Sequence, residues 1–66
     1  MKLHVNGEIL ELSHSQTIKD VLRCIGLDNK PVVVELNERA IFPRDYAEKA
    51  VNDGDRLEIV TIAAGG

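Results

Sequence analysis

Apolar and polar residues alternate from the start of the chain: Leu3 and Val5 are interleaved with Lys2 and His4, and Leu10 and Leu12 with Ile9 and Glu11. Asn6-Gly7 separates the two runs. Asn-Gly readily supplies the two positive-φ positions of a type I′ turn, whose twist matches that of the strands it joins. The pattern predicts a hairpin with strands near 2–5 and 8–12. After a polar segment over 13–16, Thr17 stands three residues before Asp20, a weaker form of the capping box that ordinarily ends in Glu or Gln. Ile18, Val21, Leu22 and Ile25 follow the i, i+3, i+4, i+7 spacing of one buried helix face, and Gly26 offers a left-handed stop. A helix is predicted over about 18–25.

Behind Pro31, the β-branched run Val32-Val33-Val34 continues to Leu36 and ends at the turn-like Asn37-Glu38-Arg39, giving a third strand. Ala40-Ile41-Phe42 is cut by Pro43. Proline cannot donate a ladder hydrogen bond, so a strand here is short, irregular or at an edge. A helical turn fits residues 44–50. Asn52-Asp53-Gly54-Asp55 is a strong turn signal, and a last strand follows over 56–62. There Leu57, Ile59 and Thr61 share one side while Glu58, Val60 and Ile62 share the other. Apolar residues on both sides predict a central strand buried on both faces. The order of elements, without repeat or linker, is an α+β pattern in which one helix covers one face of a sheet.

At 66 residues the chain holds one domain, 1–66, near the size at which a single core yields only about 3 to 5 kcal/mol of net stability. The 44% hydrophobic and 29% charged content is that of a globular domain, and the 3% aromatic content leaves the core to aliphatic residues. Cys24, the single cysteine, rules out an internal disulfide and fits a reducing compartment. With neither a signal-peptide pattern nor an apolar run of membrane-spanning length, a cytoplasmic location is expected.

The net charge of −3 is uneven: residues 34–66 carry seven acids against four bases, whereas residues 1–33 are balanced. No basic stripe marks a nucleic-acid binder. A partner with a basic surface fits the acidic half better, although such an excess is also what a solvated face carries.

Candidate catalytic chemistry within the body is sparse. His4, His14 and Cys24 lie outside any metal-ligand spacing, so no metal is expected. Asp53 and Asp55 flank Gly54 and read as turn residues bonding to backbone. There is no phosphate-cradling glycine loop and little room for a substrate pocket. The chain therefore reads as the supplier of a reactive group and not as a catalyst.

That group is at the terminus, Ala63-Ala64-Gly65-Gly66. Without a Cβ, Gly65 and Gly66 can thread a narrow channel. The α-carboxylate of Gly66, with a reference pKa of about 3.3 to 3.7, is an unshielded anion near neutral pH that can attack an activated phosphate. Residues 63–66 extend at most about 13 to 14 Å past the strand. A small-residue tail is equally what a frayed chain end looks like, and the tail alone does not choose. Val60 and Ile62, if exposed, form an apolar docking patch beside the acidic half; if buried, they complete the core. The same two readings apply to Phe42 and Tyr46, with the core the preferred one for Phe42.

Taken together, Asn6-Gly7, Gln16-Thr17-Ile18, Val34-Glu35-Leu36-Asn37 leading to Phe42-Pro43-Arg44, Val51-Asn52-Asp53-Gly54-Asp55 and the ending Ile62-Ala63-Ala64-Gly65-Gly66 resemble the ThiS family, the sulfur carriers of thiamine biosynthesis. The resemblance spans the whole chain. It implies a ubiquitin-like β-grasp fold, with a mixed four- to five-stranded sheet packed on one main helix.

The resemblance further implies that a ThiF-like adenylyltransferase uses ATP to convert the Gly66 carboxylate to an acyl-adenylate. Sulfur from a donor such as a cysteine desulfurase then displaces AMP, leaving a C-terminal thiocarboxylate. A ThiG-like thiazole synthase would accept that sulfur while building the thiazole ring. Adenylation replaces a poor leaving group by a good one, with Gly66 the modified residue and Gly65, Ala64 and Ala63 giving access. No cofactor would be bound permanently. Ala63-Ala64 departs from the family, which often carries a bulkier residue there, and weakens the assignment of a particular partner. Three alternatives remain at this point: a molybdopterin-type sulfur carrier, a non-carrier β-grasp interaction module, and a ubiquitin-like protein modifier. The short chain favours the thiazole branch over the molybdopterin one.

Overall fold

The computed structural model describes residues 1–14 and 16–62. Its elements in chain order are β1 (Lys2–Val5), β2 (Glu8–Glu11), β3 (Gln16–Thr17), α1 (Ile18–Cys24), β4 (Val32–Leu36), β5 (Arg39–Ile41), a 3-10 turn (Pro43–Asp45), β6 (Ala50–Val51) and β7 (Arg56–Thr61). The expected terminal group, Ala63, Ala64, Gly65 and Gly66, lies outside the described residues.

Five strands form one mixed sheet in the order β2-β1-β7-β4-β5. The hairpin closes as its sequence predicts, with Asn6 at φ 51 and Gly7 at φ 83, so that Val5 pairs with Glu8 and Lys2 with Glu11. β7 is the central strand, parallel to β1 and antiparallel to β4. β3 and β6 form a separate two-residue ladder that the sequence pattern does not predict. It ties the start of α1 to the approach of β7. The predicted helical turn over 44–50 is instead the 3-10 turn behind Pro43, followed by hydrogen-bonded turns and β6.

The N-terminus of α1 carries the capping box read from Thr17 and Asp20. The Asp20 N–H donates to the Thr17 hydroxyl oxygen at 3.3 Å, and the Thr17 N–H donates to the Asp20 carboxylate at 3.2 Å. These bonds satisfy donors that a helix start leaves without partners. The buried face is Ile18, Val21 and Leu22, while Ile25 caps the C-terminus and is only half-buried.

Those three side chains join Leu3, Val5, Leu12, Val32, Val34, Leu36, Val51, Leu57 and Ile59 in one aliphatic core. β1, β4 and β7 contribute by period-2 alternation, most cleanly β4, in which Val32, Val34 and Leu36 point inward and Val33 and Glu35 outward.

The expectation of burial on both faces of β7 is wrong, although its central place is right. Leu57 and Ile59 are buried, but Val60 is 62% and Ile62 52% exposed. A single helix covers a single face, and nothing among the described residues lies over the other. Phe42, placed first in the core, is 61% exposed for the same reason. It follows Ile41, which pairs with Val34 on the covered side, so alternation turns its ring outward. Tyr46 is half-buried against the core and its hydroxyl donates to the Val32 carbonyl at 3.2 Å, with burial pushing the phenol's pKa up.

Candidate functional site

The root of the terminal group is the end of β7. Val60 pairs with Val33, Thr61 pairs with Val32, and the Ile62 N–H donates to the Pro31 carbonyl at 2.9 Å. On the side facing β1, register pairing stops at Val5–Leu57 because β1 bends into the Asn6-Gly7 turn. Here the Asn6 side chain takes over: its Oδ1 accepts from the Ile59 N–H at 2.7 Å and its Nδ2 donates to the Ile59 carbonyl at 2.9 Å.

The opposite end of β7 is held by a second left-handed asparagine. Asn37, at φ 51, accepts from the Arg56 N–H at 3.0 Å and donates to the Asp55 carboxylate at 3.1 Å. Asp53 and Asp55 are the turn residues expected from their place beside Gly54. Asp55 accepts from the Asn52 N–H at 2.8 Å, and Asp53 accepts from the Lys2 N–H at 2.6 Å.

On the open face, cross-strand pairing places side chains in rows. Val60 and Val33 are opposite one another, Ile62 continues the row beyond Val60, and Phe42 follows along β5 on the same side. The three residues singled out for docking, Val60, Ile62 and Phe42, are therefore all exposed near the end from which the terminal group leaves. Arg44 places its guanidinium 4.9 Å from the centre of the Phe42 ring, a cation–π contact at the rim.

One step further from the tail, Glu35 and Glu58 stand directly opposite each other. Among the described residues the one ion pair is Arg23–Asp20 at 3.6 Å on the helix, so no cation of the chain bridges these two carboxylates. Their position was visible in the sequence as an acid on the outward phase of two strands. Read that way, it would have marked the face as open and Val60 as exposed.

Among the described residues no group of three His, Cys, Asp or Glu side chains converges on a metal position. A depression of about 340 Å³ lined by Ile41, Asp45, Glu48 and Lys49 opens widely to solvent. Cys24 is exposed, with its Sγ 3.8 Å from Gln16 Oε1. Among the described residues no helix is long and apolar enough to cross a membrane.

The sequence profile of the ThiS family matches residues 3–66, which includes Gly65 and Gly66. The chain belongs to the ThiS family. Its sequence is 37% identical over 62 residues to a sulfur carrier protein ThiS from Thermus thermophilus, covering 94% of this chain and 95% of that protein. It is 46% identical over all 66 residues to part of a thiazole synthase from Paramagnetospirillum magneticum, of which it spans only 20%. The crystal structure of a thiamine biosynthesis protein (ThiS) from Geobacter metallireducens superposes with a TM-score of 0.84 at 28% identity, with both chains covered in full. The five-stranded sheet on one helix is thus the ubiquitin-like β-grasp arrangement expected of a ThiS chain.

Proposed function

We propose that this chain is the sulfur carrier of thiazole formation in thiamine biosynthesis, and that it acts through the carboxylate of Gly66. The observation that carries the reading is the family match running through Gly66, behind a body in which the described residues hold no active site. The chain is a co-substrate and not a catalyst. An adenylating partner uses ATP: the Gly66 carboxylate attacks the α-phosphate, pyrophosphate leaves, and a mixed anhydride with AMP forms. Hydrosulfide then attacks the acyl carbon, AMP leaves, and loss of the proton gives a thiocarboxylate. Thiazole synthase is the proposed acceptor, a reading supported by thiazole synthases that contain a segment similar to this chain.

The outward row of Val33, Phe42, Val60 and Ile62 is proposed to dock the adenylating enzyme. It is continuous with the root of the tail, so a partner seated there reaches the carboxylate within the tail's length of about 13 to 14 Å. The neighbouring Glu35 and Glu58 favour a partner whose rim is basic. Intact-mass measurement after incubation with the adenylating enzyme, ATP and a sulfur source tests the carrier reading. Replacement of one oxygen by sulfur at Gly66 is expected, and an unchanged mass would overturn it. Sulfur passed to molybdopterin synthase and not to thiazole synthase would move the chain to the other carrier branch.

A further inference from the structure

β7 carries the terminal group, and its two edges are not equally held. Towards β4 it is paired as far as Thr61, with one more hydrogen bond at Ile62. Towards β1 the backbone bonds end when the Asn6 N–H donates to the Leu57 carbonyl at 2.9 Å, after which β1 turns away. The N–H and C=O of Ile59 would then face this side without a strand. Both are taken by the one amide group of Asn6, at 2.7 and 2.9 Å. Ile59 is thus the last residue of β7 held on the β1 edge among the described residues, three positions before Ile62.

We propose that Asn6 is a positioning residue for sulfur loading: its amide substitutes for the missing strand and fixes the direction in which β7 delivers the tail to the partner. The inference rests on the carrier reading above.

The residue type fits the task closely. A primary amide presents an acceptor and a donor in one plane, as a strand's backbone does, and asparagine tolerates the left-handed backbone that the hairpin requires at this position. Aspartate would keep the acceptor and lose the donor. Glycine would keep the turn and lose both. Asn37 provides an internal control, because it has the same φ of 51 and also bonds β7 through its side chain, but at Arg56, the end away from the tail.

The test compares Asn6→Gly, Asn6→Asp and Asn37→Gly in the full chain. Amide hydrogen exchange and thermal melting are read beside steady-state thiocarboxylate formation by the adenylating enzyme with ATP and a sulfur source. All three variants are expected to melt below the wild type. Asn6→Gly is expected to speed exchange at Ile59 and lower kcat on the order of tenfold, while KM for the carrier stays unchanged because the docking row is intact. Asn6→Asp is expected to keep Ile59 N–H protection and fall between the two, and it serves as the principal variant if Asn6→Gly does not fold. Asn37→Gly is expected to leave kcat unchanged. Equal kcat values for wild type and both Asn6 variants, or an equal loss in Asn37→Gly, would overturn the proposal while leaving the carrier reading intact. A wild-type chain that takes up no sulfur overturns both.

Discussion

The face of the sheet beneath α1 and the face opposite it are built from the same strands, and alternate residues of β7 belong to one or the other. On the covered face, Leu57 and Ile59 meet Val34, Leu36 and the helix in a purely aliphatic layer. On the open face, Glu58 stands opposite Glu35, and Val60 opposite Val33. The covered face gathers the buried apolar residues of the sheet. The open face places its apolar residues near the tail and sets like charges side by side, an arrangement that favours presentation over stability. Because a strand's side chains alternate strictly, the two tasks fall to different residues and can be separated by mutation.

The sharpest separation is between Leu57 and its neighbours on the other phase. Leu57 is fully buried, and Leu57→Ala removes buried methyl groups and leaves a cavity, at a cost of about 2 to 5 kcal/mol. Against a net stability of about 3 to 5 kcal/mol for a domain of this size, the variant is expected to be largely unfolded at room temperature. Circular dichroism with urea titration checks this. A native-like midpoint would show that the covered face is not what holds the fold.

Val60→Ala is the complementary change. With its side chain in solvent, the substitution is expected to alter stability by no more than about 0.5 kcal/mol. It should lower kcat/KM for sulfur loading about tenfold, the effect of losing one contact of moderate weight in an interface. Here the rise should fall on KM, in contrast to the kcat effect expected for Asn6. Unchanged loading kinetics would remove Val60 from the docking row.

Much of this division was present in the sequence. The Asn6-Gly7 turn, the Thr17–Asp20 box, the alternation in β4 and the turn before β7 are local chemistries, and each formed where its residues placed it. What failed was the inference from apolar character to burial. Val60, Ile62 and Phe42 are as hydrophobic as core residues, and only the sheet register combined with the number of covering helices decides which phase meets solvent. One helix of seven residues cannot cover two faces. The β3–β6 ladder was illegible for a different reason: two-residue strands carry no period, and their pairing joins segments more than thirty residues apart. The bonds from Asn6 and Asn37 to β7 are likewise long-range, so their sequence signal was consumed by the turns in which they sit.

The electrostatic half of the comparison turns on Glu35 and Glu58. Like charges directly opposite on adjacent strands are destabilising, and an opposite-charge pair contributes roughly 0.2 to 1 kcal/mol. Glu58→Lys is therefore expected to raise the urea midpoint slightly. It should also slow association with a partner of basic rim, an effect that shrinks as salt is added. A variant that gains stability and loads sulfur at the wild-type rate at every ionic strength would show that the carboxylates have no part in docking.

The smallest expected effect concerns the helix that makes one face covered at all. Hydrogen bonds from the Thr17 backbone and then the Thr17 hydroxyl hold the Asp20 carboxyl below its ordinary pKa of 3.8, with Arg23 adding a weaker attraction. A carboxyl whose pKa is lowered by folding binds fewer protons in the folded state than in the unfolded one. Its contribution is therefore fully present above pH 3.8 and is lost as pH falls through the lower, folded value. Asp20→Asn keeps an acceptor in the box but removes the titration. The stability difference between wild type and this variant is expected to be constant from neutral pH down to about pH 5 and to shrink below pH 3.8, measured by urea unfolding at each pH. Subtracting the two curves cancels the other carboxylates, which titrate alike in both chains. A difference that stays constant down to pH 2 would mean that the box holds α1 over the sheet through its geometry alone, and that the charge on Asp20 adds nothing to the covered face.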